Sequence, residues 1–240
     1  MAEVLARRQL TPELLDHLPA SDPRAMGSRR DLVRINAIMF QAPIVARRLR
    51  RDVEQPPRRL LEIGCGDGAL MLAVARRMAR HWPGVELTLL DRQDLVPGER
   101  RRRFTELGWH AETVITDAIE WMEDSAPSSF DVITANLFLH HFAEGELRRL
   151  LAAAQRLAPV FIATEPRRNG VALVASGLLR LIGANEVTLH DAAASVRAGF
   201  ADNELSALWP RGEAVIMREG AIGPFTHVFS ARPAASGSPR

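Results

Sequence analysis

Residues 62–68, Glu62-Ile63-Gly64-Cys65-Gly66-Asp67-Gly68, hold the chain's densest run of glycine and acidic residues. Glycines at alternate positions let a backbone turn sharply and come within van der Waals distance of a ligand. The apolar run Leu60 to Ile63 precedes them and the amphipathic run Leu70 to Met78 follows, so the turn joins a strand to a helix. In an open α/β sheet, the carboxyl end of the first strand is where a nucleotide-like cofactor binds. Glu62 there suits a cofactor carrying an ammonium group. Asp91, where the second strand should end, suits ribose hydroxyls. Asp117 follows the third strand, as a ligand contact or as the N-cap of the helix that begins at Ala118. The second chemical centre is His140-His141, just past the fourth strand. An unperturbed histidine titrates at about 6.5 and can take a proton from a hydroxyl group. Side-chain alternation predicts that only one of the two faces a pocket. His141 is expected to be that one, and His140 to pack beneath the sheet on backbone partners.

These groups need a scaffold that brings strand ends together, and the pattern supplies one. After the break Gln55-Pro56-Pro57, strands at Leu60 to Ile63, Val85 to Leu90, Thr113 to Ile115, Phe130 to Ala135 and Val160 to Ala163 alternate with helical runs at 70–78, 99–107, 119–122 and 146–157. This rhythm predicts a parallel sheet covered by helices on both faces. Ahead of it, residues 1–56 read as a helical cap. A helix starts at Thr11-Pro12-Glu13, the stretch Leu18 to Gly27 is a turn cluster, Ser28 and Asp31 cap a helix through Met39, and Pro43 breaks it before a further helix from Ile44 to Arg51. The domain proper is expected at 57–232, with an insertion at about 166–210 on the substrate side and two late strands at 214–217 and 227–231. The tail, 233–240, is small, polar and expected to be disordered.

Composition narrows the chemistry. The 240 residues are 47% apolar and 25% charged, which excludes a largely disordered chain. No apolar run approaches the roughly 20 residues of a membrane span, and Met1 to Leu10 lacks a signal-peptide core, so a cytoplasmic protein is expected. The single cysteine, Cys65, excludes an internal disulfide and a multi-cysteine metal cage. There is no tyrosine, and every one of the 31 basic residues is arginine. That removes lysine Schiff-base chemistry, a Walker-type phosphate loop and hydride transfer through a Tyr and Lys pair. The relaxed dinucleotide fingerprint Gly64-x-Gly66-x-x-Ala69 is present, but Asp67 would put a negative charge beside a pyrophosphate.

Glu62 to Gly68 resembles motif I of the class I S-adenosylmethionine-dependent methyltransferases. Leu89-Leu90-Asp91 is similar to their motif II, Thr116-Asp117-Ala118 to the adenine-side position, and Phe130 through His141 to motif IV of the small-molecule members. The resemblance runs over about 57–165. It implies a Rossmann-like, seven-stranded, mostly parallel sheet with its last strand antiparallel, and S-adenosyl-L-methionine as cofactor. The cofactor residues it implies are Glu62, Gly64, Gly66, Gly68, Asp91, Arg92, Asp117, Ala118 and Asn136. The cofactor carries no phosphate, so a site without lysine is chemically sound. Asp131, opening the fourth strand, reads as structural.

Motif IV here, Ala135-Asn136-Leu137-Phe138, lacks the prolines of relatives that methylate adenine or glutamine nitrogens. The fifth strand ends Thr164-Glu165-Pro166, without the metal-binding set of catechol-type relatives, so no metal is expected. Glu165 is a substrate contact or a partner of Arg167 or Arg168. His190 and Arg197 are further expected substrate contacts. Arginine pairs suggest RNA as an alternative partner, but aromatics are only 5% of the chain, too few for the stacking that RNA recognition uses. The region from Glu165 to Phe200, with the early arginine-rich helices, looks like a bacterial subgroup associated with type III polyketide synthases. The expected activity is O-methylation of a hydroxylated aromatic or pyrone-like metabolite. An RNA methyltransferase, an NAD-binding oxidoreductase and a catalytically silent scaffold are the alternatives.

Overall fold

The computed structural model describes residues 5–212 and 215–234. Its seven strands are β1 Arg59–Ile63, β2 Glu86–Asp91, β3 His110–Ile115, β4 Val132–Asn136, β5 Val160–Pro166, β6 Val215–Ile222 and β7 Thr226–Pro233. They form one sheet in the order β3-β2-β1-β4-β5-β7-β6. β1 to β5 are parallel, and β7 runs antiparallel between β5 and β6. The order reverses between β1 and β4, so the site expected there sits at the switch point of the sheet.

Near-continuous apolar runs in β1, β4 and β5 bury both faces of the sheet's centre. On one face, Leu60, Leu87, Val132 and Ile162 pack with α3 (Gln41–Asp52), α4 (Ala69–Met78) and α5 (Gly98–Glu106). On the other, Leu61, Ile133, Phe161 and Phe229 pack with α6 (Ala118–Asp124), α7 (Glu144–Leu157) and α10 (Glu204–Leu208). The remaining helices, α1 (Leu14–His17), α2 (Pro23–Ile38), α8 (Gly170–Leu178) and α9 (Glu186–Ala198), gather at the carboxyl end, where α9 meets the end of β5 and the turn after β4.

Several boundaries differ from the sequence reading. α2 begins at Pro23, capped by Asp22, so half of the expected turn cluster is helix, and Ser28 and Asp31 lie buried inside it. Pro at the first helical position suits a start better than the later serine does. The break before α3 is Phe40 in the left-handed region (φ 56°), and Pro43 sits in the first turn, where its missing N–H costs nothing. Val45, Ala46 and Leu49 of α3 belong to the core of the sheet, so only the stretch before α3 serves as a cap. β7 continues to Pro233, and 235–240 of the expected tail lie outside the described residues. No helix among the described residues is long and apolar enough to cross a membrane.

Candidate active site

The glycine turn is built almost wholly by backbone. Gly64, Gly66 and Gly68 have φ of 67°, 53° and 73°, values that side-chain-bearing residues rarely adopt. A Cβ on Gly66 would meet nothing within 4 Å, so this part of the turn is an open cradle. Gly64 differs: a Cβ there would fall 2.2 Å from Phe138 Cδ2. Asp91 Oδ2 accepts from the Gly66 N–H (2.8 Å) and Oδ1 from the Gln93 N–H (3.0 Å), which ties the end of β2 to the turn. Asp67 accepts from the Ala69 N–H, and its carboxylate pairs with Arg100 at 2.6 Å.

Glu62 is buried beneath this turn and accepts a hydrogen bond from the Thr134 hydroxyl across the β1–β4 pair. Burial drives its pKa up to about 8 against the opposing effect of that bond. A buried carboxyl with one neutral partner is one that a ligand ammonium would satisfy. Asp117 is the N-cap of α6, with Oδ1 accepting from the Ile119 and Glu120 N–H groups. Its Oδ2 lies 3.8 Å from Arg92, whose side chain is largely exposed. Asn136, at the end of β4, accepts from the Thr164 hydroxyl at 2.6 Å. Asp131 Oδ2 accepts from the Arg58 and Arg59 N–H groups, as its structural reading requires. An open glycine cradle, a buried lone carboxyl and two strand-end aspartates fit S-adenosylmethionine: an ammonium, a ribose diol and an adenine, with no phosphate.

The cluster past the ends of β4 and β5 is a side-chain assembly. β4 ends at Asn136, Leu137 takes a positive φ of 50°, and Leu139–His141 forms a single 3₁₀ turn. Glu165, wholly buried at the end of β5, caps that turn: Oε1 accepts from the Phe138 and Leu139 N–H groups (3.0 and 2.8 Å), and Oε2 meets His140 Nδ1 at 2.7 Å. The sequence reading gave Glu165 to substrate or to a neighbouring arginine; the structure corrects both. Arg167 bonds the Gly223 carbonyl and Arg168 pairs with Glu204, because strand alternation turns Glu165 towards the turn after β4.

His140 is buried, and its Nε2 lies 3.3 Å from Glu13, the N-cap residue of α1. Burial opposes its protonation, but the hydrogen bonds and charges of Glu13 and Glu165 outweigh it and hold the imidazole up at about 9. Burial likewise opposes ionisation of Glu13, and the His140 contact prevails, bringing the carboxyl down to about 2. The expected backbone partners of His140 are thus carboxylates. Past the strand end, where strand alternation no longer applies, the two rings lie 4.3 Å apart. His141 is the more open ring, 26% exposed, with Nδ1 3.4 Å from Asp16.

The residues before α2 are strapped over this cluster. Asp191 on α9 accepts from the Leu14 and Leu15 N–H groups, Ser195 donates to Glu13, and Arg8 bonds the His140 and Phe142 carbonyls while stacking on Phe200. Of the expected substrate contacts on α9, His190 is exposed and pairs with Asp191, and Arg197 offers the strap only its carbonyl, to Gln9. Asp191 and Ser195, one helical turn apart, are the residues that face the cluster. Glu13 was missed as a site residue; Asp191 and Ser195 lay in the segment expected on the substrate side, and their i, i+4 spacing was the signal that they share a helix face.

The sheet order, the switch point and the cradle define the class I methyltransferase architecture. Residues 61–159 match the family described as a methyltransferase domain. An O-methyltransferase family protein from Burkholderia thailandensis superposes with a TM-score of 0.61 at 18% identity, over 98% of this chain and 68% of that one. The plantazolicin methyltransferase BpumL, in complex with SAH, gives 0.63 at 17% identity over 89% and 92% of the two chains. The mitomycin 7-O-methyltransferase MmcR gives 0.58 at 20%, over 92% and 60%. At these identities the likeness is one of fold. No curated sequence matches the chain. Residues 61–159 thus match a methyltransferase domain, and the chain has the fold of the class I methyltransferases.

Proposed function

We propose that the protein transfers a methyl group from S-adenosylmethionine to a hydroxyl of a small, hydroxylated aromatic or pyrone-like metabolite. The observation that carries this reading is the pair of imidazoles separated from Gly64 of the cradle by Phe138, His140 on two carboxylates and His141 more open. The cofactor supplies an electrophilic methyl on a sulfonium, and alignment in a dry pocket does most of the work of its displacement. A phenolic or enolic acceptor also loses a proton. His141, with Nδ1 towards Asp16, receives that proton at Nε2. His140, held protonated between Glu13 and Glu165, fixes the turn and supplies positive charge beside the developing oxyanion. Glu62 receives the ammonium of the cofactor, Asp91 its ribose hydroxyls, and Asp117 its adenine through the oxygen that does not cap α6.

The structural neighbours named for O-methyl transfer support the acceptor atom, and the scarcity of aromatics supports a small molecule over RNA. Calorimetry with S-adenosylmethionine, S-adenosylhomocysteine and NAD in parallel tests the cofactor: micromolar binding of the first two and none of NAD is expected, and the reverse overturns the reading. His141→Ala should cut turnover on a phenolic acceptor by about 10²–10⁴ with cofactor affinity near wild type. Unchanged turnover at neutral pH removes His141 from the proton transfer.

A further inference from the structure

The same cluster holds a donor set that the methyl transfer does not require. Glu13, His140 and His141 each offer one ligand atom, and these atoms all lie within 4.8 Å of one another. A tetrahedral zinc ion takes imidazole nitrogen at about 2.0–2.1 Å and carboxylate oxygen at about 2.0–2.2 Å, which sets neighbouring ligand atoms roughly 3.3–3.5 Å apart. Glu13 Oε1 and His140 Nε2 are 3.3 Å apart, the edge of such a tetrahedron. Asp16 Oδ2 stands 3.4 Å from His141 Nδ1 and borders the set.

The orientation of His140 strengthens this. Glu165 takes its Nδ1, which turns Nε2 towards Glu13. A carboxylate on the far nitrogen of an imidazole is the arrangement found behind metal-ligating histidines, where it fixes the tautomer and raises ligand basicity. Glu165 is itself locked by three backbone N–H groups, so the pair is preorganised. Two imidazoles with one carboxylate suit zinc, cobalt or nickel, whereas magnesium and calcium favour oxygen donors.

We propose that Glu13, His140 and His141 bind a divalent transition-metal ion of the zinc type. The ion joins the strap before α2 to the turn after β4. Three protein ligands leave a fourth position for water or an acceptor oxygen. The site rests on the methyltransferase reading only in what that fourth position faces; the ion would replace the proton that His140 Nε2 shares with Glu13, so the metal-bound and proton-accepting forms of the cluster are alternatives.

The test uses tag-free full-length protein stripped with a chelator, dialysed against zinc at neutral pH and assayed for bound metal, with cobalt absorption reporting coordination geometry. One equivalent per chain is expected, with a tetrahedral cobalt spectrum. His141→Ala and Glu13→Gln should each abolish stoichiometric binding. Glu165→Gln, which keeps the side chain's shape, should weaken binding by roughly 10–100-fold. His190→Ala, removing an exposed histidine outside the set, should bind as wild type. The proposal is overturned if the wild type holds no stoichiometric zinc or cobalt, or if His141→Ala and Glu13→Gln bind like it. S-adenosylhomocysteine calorimetry on the same samples separates the two claims: cofactor binding without metal sinks the ion site alone, and metal binding without the cofactor sinks the methyltransferase reading alone.

Discussion

The two ends of the site are made of different material. At the cofactor end, the glycines and strand-end aspartates lie within residues 62–117, and the contacts are largely to backbone, as where Asp91 takes the Gly66 N–H and Asp117 the N–H groups of α6. At the acceptor end, Glu13 meets His140, Glu165 meets the turn after β4, and Asp191 takes the N–H groups of α1 from 177 residues away. One end is a local turn that any ligand of the right shape can approach. The other is a network of buried charges in which every member depends on another being present. Damage should therefore show as lost affinity at the first end and as lost structure at the second.

Glu165→Ala gives the largest effect. It strands three backbone N–H groups and the Nδ1 side of the His140 imidazole in a buried site, and breaking a buried pair costs about 3–5 kcal/mol. Chemical denaturation should show that loss, and a change below about 1 kcal/mol would mean that the network is not rigid. At the cofactor end, Asp91→Ala should leave the fold in place and weaken S-adenosylhomocysteine binding by about 1.5–3 kcal/mol, tenfold to a hundredfold, as charge-assisted bonds to the ribose are lost. Unchanged affinity in calorimetry would move the ribose contact elsewhere and erase the contrast between the two ends.

Glu62 is the exception that sharpens the comparison, a buried charge carrier at the backbone-built end. Its folded carboxyl keeps a proton up to about 8, while the unfolded chain releases it near 4.5. Between these values the folded state binds more protons, so stability falls as pH rises, by at most about 1.4 kcal/mol per unit, and is flat below. Denaturation midpoints between about pH 4.5 and 6.5, below the range where His140 adds a slope of the same sign, should show the slope in wild type and lose it in Glu62→Gln. A slope that persists in the variant assigns it to another group.

The difference also explains what the sequence made legible. Glu62 to Gly68, Asp91 and Asp117 could be placed because strand, turn and helix are local, and a strand end fixes where its last side chain goes. The parallel sheet covered by helices followed from the same rhythm, whereas the seven strands and the antiparallel last strand were implied by the family resemblance. Glu165 was noticed but given the wrong partners, since nothing local says that its strand turns it towards the loop after β4. The two histidines were read with strand periodicity, which stops applying one residue before Leu137. Glu13 was legible only as part of a helix start, because its meaning lies 127 residues away in His140.

The strap has a temporal consequence. Residues 8–17 leave the ribosome long before Glu165 and Asp191 exist, so they wait without partners while the sheet is completed. Contacts between such distant segments form last, after the loop-closure entropy has been overcome. They are also the contacts that a folded chain can release without disturbing its core. The strap, and not the buried Glu165–His140 pair beneath it, is therefore the youngest part of the folded molecule and the first to let go, while the sheet and the glycine turn stay closed.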